Sequence, residues 1–213
     1  MVEAQHVASS MKLVDTRDEQ DLLEALLESS KPARPASAQG LHYLLATPFR
    51  YPPAGGGSRF RGPSDPGVFY GAESVRTAAA ELGYWRWRFL QDAVQLDHLE
   101  PVAHTAFRAD IATTGVDLRE PPLRRQAAAW KHPRDYGPTQ AFARVARSGG
   151  VGAVVYLSVR DPEPAWCLAL LTPQGFARPR PHAQTQTWFL AVSRAGASWR
   201  REREAWEFAA AGW

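Results

Sequence analysis

The sequence has almost no cysteine and no long apolar run. Cys167 is the only cysteine, so the chain can form neither an internal disulfide nor a cysteine-based metal site. Its place inside the apolar run of residues 166–170 favours a buried, small hydrophobic side chain over a nucleophile. Because no apolar segment approaches bilayer length and the N-terminus lacks an apolar signal region, we expect a soluble, cytoplasmic protein without a membrane partner.

The charge balance gives no sign of a nucleic-acid binder, because 25 basic and 22 acidic residues leave a net charge of only +3. Lysine occurs only at positions 12, 31 and 131, so the basic residues are mostly arginines, and they are interspersed with acids. We therefore expect no direct nucleic-acid partner. The six histidines show no metal-ligand spacing and no His-Glu-x-x-His motif, so we predict no metal site.

The chain does have enough apolar residues for a core, and a clear helix signal near its start. Its 213 residues are 45% hydrophobic, which suits one compact domain with a short appendage. Thr16 and Glu19 form a predicted capping box, and a leucine stripe follows at positions 22, 23, 26 and 27. We predict an N-terminal extension of residues 1–35 with this one amphipathic helix, and a main domain of residues 36–213. The helix either packs on its own domain, which we favour, or serves as a partner surface.

The main domain begins with short segments of mixed type. An apolar run predicts a strand over residues 41–47, and a glycine-rich loop follows at 54–58. Another short strand is predicted over 67–70. Ser74 then caps a helix that runs to about Leu96. The predicted apolar face of that helix consists of Val75, Ala78, Ala79, Leu82, Trp85 and Phe89.

The second half of the chain combines helical segments with strands. Residues 98–133 are predicted to be a helical insertion with one short helix near 126–130, and a helix over 136–148 ends at a glycine pair. Three apolar runs predict strands at residues 152–158, 165–172 and 185–193. A hairpin turn is predicted at 194–197. The tail over 198–208 forms either a last strand, which we favour, or a helix.

The order of these elements predicts the fold class. Helices and strands do not alternate regularly, as they would in a doubly wound parallel sheet. We therefore predict a single α+β domain in which helices flank a curved, mostly antiparallel sheet.

Glu81 and the arginines after the glycine loop carry the first candidate chemistry. Glu81 flanks the apolar stripe of its helix, so we expect a half-buried carboxylate; the alternative is a surface glutamate paired with Arg76 or Arg88. Arg59 and Arg61 follow three glycines, whose backbone N–H groups can converge on an anion while an arginine clamps a phosphate. The alternative is a surface loop with two solvated arginines.

Tyr70 and Ser158 each end a predicted strand. The ring of Tyr70 can stack on a flat ligand, or Tyr70 is a core tyrosine with its hydroxyl hydrogen-bonded. Ser158 points into whatever cleft lies at the end of its strand, or it caps its own turn. Because Ser158 is not in a Gly-x-Ser-x-Gly elbow, the sequence gives no support for a hydrolase nucleophile.

Taken in order, these motifs resemble the RES domain family. The resemblance extends from about residue 41 to the C-terminus, and the Arg, Glu and Ser that give the family its name match Arg59, Glu81 and Ser158. One departure is that many members carry Gly-Gly-Arg-Trp-Asn where this chain has Gly-Ser-Arg-Phe-Arg, so the matching arginine is Arg59, our choice, or Arg61. The segments that carry the resemblance are residues 57–61, 67–74, 77–81 and 155–160.

Membership in this family would imply a fold similar to ADP-ribosyltransferase toxins, with residues 36–213 as the catalytic domain. Family members act as toxins of bacterial toxin–antitoxin pairs and cleave NAD at the nicotinamide bond, with phosphate as the acceptor in some. Others ADP-ribosylate a protein. A helix-turn-helix type antitoxin neutralises them by blocking the cleft. The resemblance therefore implies NAD as the substrate, phosphate or a protein as the acceptor, and an antitoxin as the partner.

The resemblance also implies roles for single residues. Cleavage builds positive charge on the ribose, which the Glu81 carboxylate would stabilise, and Arg59 would bind the pyrophosphate. Tyr70 would hold the nicotinamide by stacking, and Ser158 would bond the ribose or the phosphate; the other expected substrate-binding residues are Arg61 and Arg160. Two alternatives stay open: an ADP-ribosyltransferase that modifies a cellular protein, and an inactive protein-binding module.

Overall fold

The computed structural model describes residues 1–4, 13–53 and 57–213, so part of the predicted glycine-rich loop (residues 54–56) lies outside the described residues. The helices are α1 (Arg17–Ser30), α2 (Tyr43–Arg50), α3 (Val75–Asp92), α4 (Ala127–Trp130) and α5 (Gly137–Ser148). The strands are β1 (Val2–Glu3), β2 (Phe69–Ala72), β3 (His98–Phe107), β4 (Gly115–Asp117), β5 (Ala153–Leu157), β6 (Trp166–Leu170), β7 (Thr185–Ser193), β8 (Gly196–Arg201) and β9 (Glu204–Ala209).

The strands form two sheets. The five-stranded sheet has the order β1-β3-β7-β8-β9, and all of its neighbours are antiparallel. The four-stranded sheet has the order β2-β6-β5-β4, with one parallel pair between β4 and β5. The prediction of a single, mostly antiparallel α+β domain is confirmed, with two sheets in place of the one that the sequence predicts.

Helix α3 lies against both sheets and thereby brings them together. Most of its packing is on β8 and β7 of the five-stranded sheet, and it also contacts β2 and β6 of the other sheet. Gly83 allows this close packing, because a Cβ at that position would come within 3.0 Å of the Cβ of Ala197. The indole N–H of Trp199 donates to the carbonyl of Ala79 at 3.1 Å, which fixes the helix on the sheet. On the other side of the molecule, α4 and α5 cover the four-stranded sheet around Trp130, Val154 and Tyr156.

The predicted apolar face of α3 is right in part, because Val75, Ala79 and Leu82 pack in the core while its two aromatic members do not. Trp85 and Phe89 are 42% and 55% exposed, and the helix ends at Asp92, before the predicted Leu96. Small side chains let a helix backbone approach a sheet more closely than large ones, so a neighbouring face was chosen for packing. The residues buried on α3 are Thr77, Ala79, Ala80, Gly83, Tyr84 and Leu90.

The strand predicted over residues 41–47 is also wrong, because helix α2 begins within this segment, at Tyr43. His42 caps the helix by accepting the Leu44 N–H on Nδ1 at 3.3 Å. Leu45, Ala46 and Phe49 are buried, at the spacing of one helix face. A short apolar run is compatible with a buried helix and with a buried strand alike, so periodicity alone could not separate them.

The helical insertion predicted over residues 98–133 is wrong for its first part, which contains β4 and the longest strand of the described residues, β3. Pro101 lies where the pairing of β3 with β7 shifts register, between Leu99 and Val102. A β-bulge accommodates a proline that a regular ladder would not tolerate. The short helix near 126–130 is confirmed as α4.

Most of the remaining predictions hold. Helix α5 and strands β2, β5, β6 and β7 lie where the sequence predicts them, and Ser74 caps α3 by accepting the Thr77 N–H. The hairpin turn at 194–197 joins β7 to β8. The tail over 198–208 is extended, as favoured, and belongs to the two strands β8 and β9.

Helix α1 forms with the predicted capping box of Thr16 and Glu19, but it does not pack on the domain. None of its residues is buried, and three of its leucines, at positions 22, 26 and 27, are 49–61% exposed. The expectation that its leucine stripe packs on its own domain is therefore wrong. The helix is held by Arg50, which bonds the Glu28 carboxylate at 2.7 Å and the Pro32 carbonyl at 2.6 Å. Within the described residues, no helix is long and apolar enough to cross a membrane.

Candidate active site

A cleft of about 900 Å³ opens between α3, the four-stranded sheet and the end of β3. Its floor is formed by residues of β2, β5 and β6, and one wall by α3. The end of β3 and the loop that follows it form the opposite rim. Ligand pockets commonly have volumes of about 300–1,000 Å³, so this cleft is large enough for an extended ligand.

Glu81 projects from the middle of α3 into this wall. It is half-buried, as predicted, and its Oε1 accepts the Ser158 hydroxyl at 2.6 Å. Within the described part of the chain, Oε2 has no hydrogen-bond partner, so the carboxylate keeps capacity for a ligand. The alternative of a surface ion pair between Glu81 and Arg76 or Arg88 is wrong. Arg76 pairs with Asp161 and Glu163, and Arg88 pairs with Asp92.

Arg59 is the buried cation of the cleft. Only 6% of it is exposed, and its Nη1 donates to the carbonyls of Trp130 at 2.9 Å and His132 at 3.1 Å. The guanidinium lies 4.8 Å from the ring centroid of Tyr136. No carboxylate of the described residues pairs with it. A desolvated guanidinium without a counter-charge favours the binding of an anion, above all one with two oxygens in a plane.

Arg61 lies outside the lining of the cleft and holds the loop together. Its Nη2 donates to the Tyr51 carbonyl at 2.8 Å, and its Nε donates to the Asp65 carbonyl at 3.2 Å. The loop turns sharply at Gly57, whose φ is +94°. This position requires glycine, because a Cβ there would lie 2.2 Å from the Arg61 carbonyl oxygen. The two arginines therefore diverge, and the structure brings Arg59 but not Arg61 to the cleft.

Tyr70 has the hydrogen-bonded hydroxyl that one of the two sequence-based interpretations predicts. Its hydroxyl lies 2.8 Å from Ser58 Oγ and accepts the Phe60 N–H at 2.9 Å, so it anchors the arginine loop to β2. Burial raises the pKa of this hydroxyl to about 12, so the side chain is neutral at physiological pH. The residue also lines the cleft, and stacking of its ring on a flat ligand stays a prediction.

Ser158 and Arg160 lie behind the cleft lining. Ser158 Oγ accepts hydrogen bonds from the backbone N–H groups of Arg160 at 3.2 Å and Asp161 at 3.1 Å. The Ser158 hydroxyl itself donates a hydrogen bond to Glu81. Only 3% of Arg160 is exposed, and its guanidinium stacks 3.4 Å from the Tyr84 ring centroid. Neither residue belongs to the lining of the cleft.

Cys167 is buried, as predicted, with 1% of its surface exposed. Burial raises the pKa of its thiol well above the ordinary range, and the charge of Glu81 raises it further. The thiol lies 3.9 Å from Glu81 Oε1. A protonated thiol at this position forms part of the wall beside the carboxylate and is not activated as a nucleophile.

Two aromatic residues of the cleft are missing from the sequence-based candidates. Trp85 and Tyr136 both line the cavity, with ring centroids 6.3 Å apart. The position of Trp85 one helical turn after Glu81 is a signal that could have identified it. Tyr136 carries no such local signal, because the fold alone brings the start of α5 to the cleft. Of the residues that the structure describes, no group of three His, Cys, Asp or Glu side chains is arranged to hold a metal ion.

The residues of this cleft lie in a part of the chain that matches a known protein family. The RES domain matches residues 32–193, which is more than half of the chain and includes Arg59, Tyr70, Glu81 and Ser158. No curated protein matches the chain at a significant level. The extent of the family match is sufficient to place the protein, and the chain belongs to the RES domain family.

Proposed function

We propose that this protein is the toxin of a bacterial toxin–antitoxin pair and that it cleaves NAD at the bond between nicotinamide and ribose. Membership in the RES domain family supports an NAD-related enzyme in general. The proposed reaction is phosphorolysis. A phosphate oxygen forms a bond to the ribose carbon, and neutral nicotinamide leaves with the electrons of the bond that breaks. The products are nicotinamide and ADP-ribose 1″-phosphate.

The observation that carries the proposal is the Glu81 carboxylate, held in the cleft wall with one oxygen bonded and the other without a partner among the residues that the structure describes. As the nicotinamide bond breaks, positive charge develops on the ribose, as in glycoside cleavage. A carboxylate fixed beside that sugar stabilises the transition state more than the ground state, because the charge appears only as the bond breaks. The mechanism needs no covalent intermediate on the enzyme.

Arg59 and the aromatic residues supply the complementary binding groups. A pyrophosphate or an incoming phosphate fits the buried guanidinium of Arg59, which has no carboxylate partner within the described ranges. Nicotinamide in NAD is flat and cationic, so it is suited to stack on the ring of Tyr70 or Tyr136. These groups and Glu81 line one continuous cleft.

The proposed partner is a helix-turn-helix type antitoxin that reaches into the cleft near Arg59 and Glu81. A carboxylate or chain terminus placed against Arg59 would block the anion site compactly. The exposed leucine stripe of α1 is a second candidate surface for the same partner, since three of its leucines have no cover among the described residues.

The test is to incubate the purified protein with NAD, with and without inorganic phosphate, and to identify the products by mass spectrometry. Phosphorolysis predicts nicotinamide and ADP-ribose 1″-phosphate only when phosphate is present. Free ADP-ribose would identify a glycohydrolase, and ADP-ribose attached to a protein in added lysate would identify an ADP-ribosyltransferase. Intact NAD under all these conditions would contradict the proposal and favour an inactive binding module. The matched control is Glu81→Gln.

A further inference from the structure

We infer that Ser158 is a positioning residue, whose hydroxyl holds the Glu81 carboxylate from behind the cleft wall and does not touch the substrate. This inference rests on the proposed function, because it assigns Ser158 a part in the work of Glu81. It differs from the role that the family resemblance implies, in which Ser158 bonds the ribose or the phosphate.

The hydrogen-bonding capacity of Ser158 is fully used within the protein. A serine hydroxyl has one proton to donate and two lone pairs to accept with. The proton goes to Glu81 Oε1 at 2.6 Å, which is the length of a charge-assisted bond. The lone pairs accept the N–H groups of Arg160 at 3.2 Å and Asp161 at 3.1 Å. A bond to the substrate would have to break one of these three.

The turn that carries Ser158 is attached to α3 at three successive points. Asp161 accepts the Thr77 hydroxyl at 2.9 Å, Ser158 donates to Glu81, and Arg160 stacks on the ring of Tyr84. Positions 77, 81 and 84 share one face of the helix. Residues 158–161, which we call the supporting turn, therefore follow this face of α3 for about two turns.

The side chains that attach the turn on either side of the Ser158–Glu81 bond are buried. The Asp161 side chain is 1% exposed and forms an ion pair with Arg76 in addition to its bond with Thr77. Only 3% of Arg160 is exposed, and its guanidinium donates to the Tyr136 hydroxyl at 3.3 Å. The supporting turn is thus a rigid base for the hydroxyl, and through Arg160 it also contacts an aromatic residue of the cleft.

A glutamate on a helix needs such a base because its side chain has several rotatable bonds, and fixing them costs conformational entropy at each turnover. A displacement of a catalytic group by about 1 Å can lower a rate on the order of 100-fold. The Ser158 bond removes this freedom from one carboxylate oxygen and leaves the other to the substrate.

The first test compares steady-state kinetics of NAD cleavage in Ser158→Ala with the wild-type protein. We expect kcat to fall about 10- to 100-fold and KM for NAD to change less than about threefold, because only the position of Glu81 is lost. Ser158→Cys keeps an atom at the Oγ position with a weaker donor, so its kcat should be intermediate. A rise in KM that matches the loss of kcat/KM would overturn the inference, because it would show direct contact with NAD.

The matched control is Ser193→Ala. Ser193 Oγ also accepts a backbone N–H two residues on, from Ala195 at 3.2 Å, but Ser193 is not among the residues that line the cleft. This variant should cleave NAD at the wild-type rate. If it loses as much activity as Ser158→Ala, the effect of Ser158 is a general consequence of removing a turn bond, and the inference fails.

A second test does not depend on catalysis. Urea unfolding of the wild type, Glu81→Ala, Ser158→Ala and the double variant forms a thermodynamic cycle. We expect the double variant to be destabilised by less than the sum of the single effects, because the two side chains share one bond. Strict additivity would overturn the inference whatever the enzyme does. Coupling in the cycle together with intact NAD in the wild-type reaction would instead refute the proposed function and leave the bonded pair standing.

Discussion

The cleft wall and the supporting turn behind it are built from side chains of the same kinds, but they use their polar groups differently. Among the described residues, one oxygen of Glu81 in the wall has no protein partner, and Arg59 has no carboxylate partner. In the turn, the Ser158 hydroxyl is fully bonded and Asp161 is paired with two groups of α3. Groups with unused capacity can bind a substrate, whereas saturated groups can only hold their neighbours in place.

The same contrast occurs within one tripeptide. Arg59 enters the cleft, while Arg61 bonds the carbonyls of Tyr51 and Asp65 at the back of the loop. A residue's membership in a motif therefore does not tell whether it contacts the substrate or supports a residue that does.

The largest effect on catalysis is expected from a substitution of Glu81 in the cleft wall. Glu81→Gln should lower kcat for NAD cleavage by about 10²–10⁴ and relieve growth inhibition, because an amide lacks the negative charge that stabilises the ribose. The fold should remain, since the amide oxygen can still accept the Ser158 hydroxyl. Turnover assays and thermal unfolding measured on the same preparation check both parts. Wild-type turnover in this variant would remove Glu81 from the mechanism.

Substitution of the two arginines tests directly whether one binds the substrate and the other supports the loop. Arg59→Ala should weaken NAD binding by about 2–5 kcal/mol in calorimetric titration, because it removes a desolvated charge that faces the ligand. Arg61→Ala should leave the affinity for NAD nearly unchanged and lower the free energy of unfolding by about 1–3 kcal/mol, since two backbone carbonyls lose their donor. If Arg61→Ala weakens NAD binding more, then Arg61 is the arginine of the family motif and Arg59 is the support.

The smallest effect on the enzyme itself is expected outside both regions, on α1. Replacing Leu22, Leu26 and Leu27 by serine should change the free energy of unfolding by less than about 0.5 kcal/mol per site, because all three are exposed. NAD cleavage should stay at the wild-type rate, while binding to the cognate antitoxin should weaken. Val145→Ser, at a 71% exposed position on α5, is the control. Unchanged rescue of growth by the antitoxin would show that the partner uses the cleft without α1.

Much of the local structure could be predicted because its causes are local. The caps of α1 and α3 depend on a hydroxyl and the backbone N–H three residues on, which the sequence states directly. The strands β5, β6 and β7 are apolar runs too short for most helices and bounded by turn residues, so their type follows from composition. The half-buried state of Glu81 follows from its place beside an apolar stripe on a helix.

How those elements act together depends on long-range packing. The bond between Ser158 and Glu81 joins residues 77 positions apart, and the partner of a side chain at that distance depends on how α3 packs on both sheets. The choice between Arg59 and Arg61 depends on the turn at Gly57, and the exposure of α1 depends on whether another surface lies within reach. Each of these outcomes depends on the packing energies of residues far apart in the sequence. A pattern within a short stretch of sequence carries no information on those energies.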